Sequence, residues 1–193
     1  MQTLIRSLNH QIDNTVKYIL LLLIFVCPGT SWPQVNPVPS SEVKAVFLFN
    51  FANFVDWPST SLLSPGEPFI IGVLGENPFG SYLEKSVLNE KKDGHPLVIK
   101  YFSNIEEAKN CRILFINLQS PEQLHHTLMA IKGLNILTVS DAPEFAKSGG
   151  MIRFFIVNNK VRFQVNMEAV KDANLVISSK MLRLAEVLNS EGP

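Results

Sequence analysis

Residues 69–116 read FIIGVLGENPFGSYLEKSVLNEKKDGHPLVIKYFSNIEEAKNCRILFI, and the alternation of apolar runs with helix-forming stretches in this segment decides the fold. Phe69–Leu74 contains no polar side chain, as expected of a strand covered on both faces. Asn77 and Pro78 then form the cap and first position of a helix predicted to run to about Leu88. Leu97–Phe102 is a second strand, Ile105–Asn110 a short helix and Arg112–Ile116 a third strand. Beyond it, Ser120-Pro121-Glu122 opens a helix that ends near Gly133, and Asn135–Val139 is a fourth strand. This pattern specifies an α/β domain with a largely parallel sheet flanked by helices. Right-handed crossovers place the loops that follow the strands along one edge.

The pattern changes at Gly149-Gly150. Met151–Val157 and Lys160–Asn166 are two strands separated by Asn158-Asn159, a pair that tolerates the positive φ of a tight hairpin turn. Val161, Phe163 and Val165 alternate with Arg162, Gln164 and Asn166, so this return strand has one buried and one wet face. An antiparallel hairpin is therefore added near the C-terminus. Met167–Ala173 is a short helix and Leu175–Ile177 an extended link. A last helix starts at Ser178-Ser179, with Met181, Leu184, Ala185 and Leu188 as its core stripe, Leu182 and Val187 beside it, and Lys180, Arg183 and Glu186 opposite.

Upstream of the sheet, Ser40 or Ser41 caps a helix from Glu42 to about Trp57, which Pro58 ends. Its apolar residues cover nearly the whole circumference, so it is buried on more than one side. Either it threads the centre of the domain or it forms an interface between subunits. The small size of the domain points to the second, with Phe47, Phe51, Phe54 and Trp57 covered by a second copy or by a partner. Residues 32–40, rich in proline, read as an extended leader, and residues 41–190 as the folded domain.

Residues 1–31 have the features of a signal peptide. Arg6 and Lys17 precede the nine-residue apolar run Tyr18–Val26, which is shorter than the ~20 residues a spanning helix needs. Pro28-Gly29 breaks the helix, and Gly29 and Ser31 suit cleavage after Ser31. The expectation is a periplasmic protein. Lys+Arg and Asp+Glu both number 17 in the whole chain. Arg6, Lys17 and Asp13 leave with the signal, so the mature domain carries one net negative charge. Its net charge gives it no general attraction to nucleic acid or an anionic membrane. Roughly 160 residues make one domain that needs no staple. Cys27 lies in the signal segment, which leaves Cys111 alone and rules out an internal disulfide in the mature chain.

Few residue patterns point to catalysis, and none is assigned as catalytic. His125 and His126 are adjacent, so on a helix they diverge by ~100° and do not chelate one metal. His95 sits in a turn. Gly-x-Ser-x-Gly, His-Glu-x-x-His and phosphate-loop motifs do not occur. Gly72–Gly80 joins strand to helix where a nucleotide would bind, but the spacing is not Gly-x-Gly-x-x-Gly and Pro78 lacks an amide hydrogen. No cofactor or metal is expected. Ser178, Ser179, Lys180 and Arg183 gather at a helix start, where free amides suit a small anion, with Arg153 nearby if its strand packs alongside. Read from the residues alone, that group is first of all an ordinary serine cap with surface cations.

Five segments taken together resemble the YfiR-like family of periplasmic regulators. They are KAVFLFNFANFVDWP (44–58), IGVLGENPFG (71–80), SGGMIRF (148–154), VRFQVN (161–166) and LVISSKMLRLA (175–185). The resemblance implies a dimeric, non-enzymatic domain that represses a membrane-anchored diguanylate cyclase from the periplasmic side. Release of that partner raises cyclic di-GMP and favours biofilm. The family resemblance also implies a small anionic or aromatic ligand, so the alternative is a periplasmic small-molecule sensor read by another protein. Disulfide-based redox control, known in the family, has no counterpart in a mature chain with Cys111 alone.

Overall fold

Strands without a wet face require cover on both sides, and this chain supplies it to both faces of one sheet. The computed structural model describes residues 38–61 and 63–188. The expected signal segment, residues 32–37 of the leader and the end of the domain beyond Leu188 lie outside the described residues. The described residues form one compact unit. Its helices are α1 (Ser40–Phe54), α2 (Tyr82–Val87), α3 (Ile105–Ala108), α4 (Pro121–Ala130), α5 (Met167–Asp172) and α6 (Ser179–Leu182). Its strands are β1 (Val55–Asp56), β2 (Phe69–Gly75), β3 (Lys91–Lys92), β4 (His95–Phe102), β5 (Ile113–Asn117), β6 (Leu137–Ser140), β7 (Ile152–Val157), β8 (Lys160–Asn166), β9 (Val176–Ile177) and β10 (Glu186–Leu188).

Eight strands form one sheet in the order β10-β8-β7-β6-β5-β2-β4-β3, and β1 and β9 form a separate antiparallel pair. The run β4-β2-β5-β6-β7 is parallel. The hairpin β7–β8 is antiparallel and turns at Asn158 (φ 49°) and Asn159 (φ 58°), the conformation predicted for that Asn pair. The fold is thus the mixed α/β one expected from the sequence, a mostly parallel sheet with an added antiparallel pair.

Side chains alternate between two cores. On one face Ile71, Val73, Ile113, Phe115, Leu137 and Val139 are buried with Ala45, Leu48, Phe51 and Ala52 of α1 and Leu83 and Val87 of α2. On the other, Leu74, Leu114 and Ile116 are buried with Leu124 and Leu128 of α4 and with Phe145 from the loop before β7. α1 also spans the join between the parallel strands and the hairpin. Phe51, 1% exposed, stacks on Phe154 of β7 at 5.7 Å and meets Phe163 of β8 edge-on at 5.5 Å. Phe47 adds to the same cluster, 6.1 Å from Phe154 and 5.5 Å from Phe163.

Several element boundaries differ from the sequence-based expectation. α1 has Pro39 at its cap, with no side-chain bond from Ser40 or Ser41, and the Pro39 carbonyl accepts from Glu42 N at 3.0 Å. It ends at Phe54 because Val55–Asp56 is drawn into pairing with Val176–Ile177. α2 begins at Tyr82 rather than Pro78, because Asn77 Oδ1 accepts from Phe79 N at 2.9 Å and holds a turn. Asp93 (φ 51°) and Gly94 (φ 87°) make a two-residue turn, so β4 gains the short partner β3. The predicted C-terminal helix is a single turn. After Leu182 the chain extends and β10 pairs in parallel with Gln164–Asn166, leaving Leu184 62% exposed and outside any core stripe. The outer edge of β8 offers backbone partners there that side-chain periodicity cannot reveal.

The strand order reverses between β2 and β5, and sheets of this kind commonly bind ligands at the carboxyl end of such a point. Here the gap is closed. Gly75 has φ +91°, a Cβ on it would lie 2.2 Å from the Asn117 carbonyl oxygen, and Asn117 Nδ2 donates to the Glu76 carbonyl at 2.8 Å.

Two substitutions test these contacts by chemical denaturation. Phe51→Ala empties the aromatic cluster and is expected to cost about 3–5 kcal/mol. Gly75→Ala combines a disfavoured φ with a backbone clash and is expected to cost at least ~1–3 kcal/mol. A loss below ~1 kcal/mol for either contradicts the packing described.

Candidate functional site

α1 presents most of the side chains that the sequence marks as an interface. Phe51 belongs to the interior of its own chain. Phe47, Phe54 and Trp57 are half-buried and pack against the same core, Trp57 meeting Phe69 edge-on at 5.1 Å and donating from Nε1 to the Asn135 carbonyl at 3.0 Å. Val46, on the outward side of the helix, is 50% exposed. The near-complete apolar girdle of α1 is therefore covered largely within one chain, with a strip around Val46 left over.

Lys44 is the one cation of this helix. Its Nζ lies 2.6 Å from Asp141 Oδ2, and its side chain is 12% exposed against 35% for the aspartate. The pair pins the start of α1 to the loop after β6. This pair was not legible in the sequence, its members lying 97 positions apart.

The expected anion group divides in two. Ser178 caps α6, its hydroxyl accepting from Met181 N at 3.4 Å, while Ser179, Lys180 and Arg183 are exposed. This group follows β9, and Ser178 N donates to the Phe54 carbonyl at 2.8 Å, at the C-terminal end of α1. Arg153 lies in register with Ser140 at the carboxyl end of β6, and its Nε donates to the Ala142 carbonyl at 3.2 Å. Lys44 is tied to Asp141 at that same edge, so about ten residues of helix, ~15 Å, separate the two ends. The structure brings Ser178, Ser179, Lys180 and Arg183 together and does not bring Arg153 to them.

Further clefts lie among the described residues. One of about 290 Å³ between α4 and α5 sets Lys132 and Lys147 against Glu168 and Asp172 over a floor of Thr138 and Met151. A second holds Lys100, Lys109, Arg112 and Glu67 above Cys111, and a third holds Trp57, Asp56, Lys92 and His95. Arg112 borders both of the latter and donates through Nη2 to the Ser61 carbonyl, while burial pulls its pKa below the usual arginine range. Burial pushes the Cys111 thiol up to about 12, against a smaller opposing effect of Lys100, which keeps it protonated and unreactive. His125 and His126 are exposed on α4, and no group of three or more metal-ligating side chains occurs among the described residues.

A family model described as YfiR/HmsC-like matches residues 41–186. No curated protein matches the sequence. Among solved structures, the chain is similar to a conserved domain protein from Vibrio cholerae O1 biovar El Tor, with 12% identity and a TM-score of 0.48 over 80% of this chain and 62% of that one. It is also similar to an ABC domain in complex with L-Trp from Streptococcus pneumonia, with 10% identity and a TM-score of 0.48 over 77% and 60%. The chain thus spans about three fifths of the length of each of these two.

The raised Cys111 pKa has a signed consequence. The folded state favours the protonated thiol, so its contribution to stability is complete below the ordinary value of 9.0 and is lost as pH rises towards about 12. In a Cys27→Ser chain, Cys111 is expected to resist a thiol reagent at pH 8 until denaturant is added. Rapid labelling of the native protein contradicts its burial.

Proposed function

Because the chain belongs to the YfiR/HmsC-like family, we propose that it is a periplasmic regulatory binding protein that restrains a membrane-anchored diguanylate cyclase and so lowers cyclic di-GMP signalling. The observation that supports this is the reach of the family match. Residues 41–186 run from the first turn of α1 to the start of β10, so the likeness covers a whole domain rather than one motif. The part played is that of a binding surface rather than a catalyst.

In this reading the outward strip of α1, around Val46 and bordered by the half-buried Phe47, Phe54 and Trp57, forms the contact between two copies or with the cyclase. Phe51 supports that strip from beneath. Deleting the gene is expected to raise cellular cyclic di-GMP, and the wild-type gene to restore it. Pull-down from solubilised envelopes is expected to recover a membrane protein with a cytoplasmic cyclase domain. Unchanged cyclic di-GMP in the deletion strain sinks the proposal.

The surface itself is tested with Val46→Glu. Because the site is exposed, stability is expected to change by no more than ~0.5 kcal/mol. Light scattering is expected to report two chains for the wild type and one for the variant. A wild-type mass of one chain at micromolar concentration counts against a dimer.

A further inference from the structure

A net charge near zero conceals a local excess. From Gly149 to Met167 the chain holds Arg153, Lys160 and Arg162 and no carboxylate. This stretch is the β7–β8 hairpin, whose outer half projects. The last pairing of β7 with β6 is Ser140 with Arg153, so Phe154–Val157 extend four residues beyond it, or ~13 Å. α1 covers Phe154 and Phe163; on the next rung of that face Val161 still packs against the core, while Ile156 opposite it does not. Ile156 is 53% exposed and Val157 45%. Two consecutive aliphatic side chains therefore face opposite ways into solvent at the tip of a protrusion.

The cations surround that tip. Lys160 is paired across the turn with Val157, and Arg162 with Phe155 on the same face. Arg153 is the anchored one, its guanidinium 5.7 Å from the Phe155 ring and hydrogen-bonded to Ala142. Lys160 and Arg162 make no ion pair among the described residues. Several carboxylates of neighbouring elements are engaged or lie away from the turn. Asp141 is held by Lys44 and Glu144 by Lys147, while Glu186 of β10 is in register with Gln164, away from the turn.

Exposed aliphatic side chains at an apex, flanked by free cations with no acid among them, match the chemistry of a bilayer interface with acidic headgroups. The apolar pair enters the boundary of the acyl region and the cations meet phosphate. An acidic protein segment would use the charges but would give no role to two aliphatics that diverge from a turn. We propose that the β7–β8 tip docks on an anionic membrane surface, with Ile156 and Val157 inserted and Lys160 and Arg162 against the headgroups. This orients the body of the domain relative to the bilayer and does not depend on which protein the domain regulates.

The apolar run Tyr18–Val26 can itself enter a bilayer, so the test reads the hairpin and not total binding. A Val157→Trp chain and its parent, which carries Trp32 and Trp57, are each mixed with vesicles containing phosphatidylglycerol or with vesicles of phosphatidylcholine alone, and the difference between their emission spectra reports residue 157. With the anionic vesicles, tip fluorescence is expected to shift to the blue and to be quenched by brominated lipid, and both effects are expected to weaken as salt is raised. Adding Lys160→Gln and Arg162→Gln is expected to reduce this partitioning about 25-fold, at about fivefold per cation. Adding Ile156→Ser is expected to reduce it further without altering circular dichroism. No change at residue 157 with anionic vesicles overturns the proposal. A shift produced by polyglutamate but not by vesicles also overturns it, and assigns the hairpin to an acidic protein partner.

Discussion

The packing of α1 against both halves of the sheet is the constraint on which the rest of the domain depends. Five parallel strands and an antiparallel hairpin share one sheet, but it is Phe51, stacked on Phe154 and edge-on to Phe163, that gives them a common core. The same helix is fixed at its start by Lys44 to the loop after β6 and at its end by the β1–β9 pair. A buried aromatic cluster supplies most of the energy, and the polar pair at the edge mainly fixes orientation.

This arrangement shows what a sequence reveals and what it hides. The four parallel strands in the middle of the chain were legible because each is a short run with few polar residues, and the hairpin because Asn158-Asn159 suits only one kind of turn. The short elements were not legible. β1, β3 and β10 are two or three residues long and exist because an edge elsewhere offers hydrogen-bond partners. Leu184 and Leu188 fit a helical stripe on paper, yet pairing with β8 took the chain past them in extended form. Local periodicity carries no information about a vacant edge contributed by residues twenty positions earlier.

The candidate sites divide along the same line. The apolar girdle of α1 was visible, but how much of it the chain covers by itself depended on Phe154 and Phe163, about a hundred residues downstream. Ser178, Lys180 and Arg183 lie at one helix start because they are neighbours in sequence. Arg153 was joined to them only through an unknown strand order, and that order places it at the other end of α1. Charge behaved similarly. The balance over the whole chain is even, while the hairpin alone carries three cations and no carboxylate.

The β1–β9 pair sets a timetable for the chain. Val55 is made early, and Ile177, its partner, about 120 residues later. At ~5–20 residues per second, α1 waits roughly 6–24 s for the last of its partners to be synthesised. During that interval its phenylalanines have no hairpin to close on. The nascent chain therefore passes through a stage in which its most aromatic segment is also its least protected, and a chaperone that holds it open until the C-terminal strands emerge acts on this helix first. A chain interrupted before residue 152 retains that segment and the parallel strands but lacks the hairpin that completes its cover, which makes it a substrate for proteolysis rather than a partly working protein.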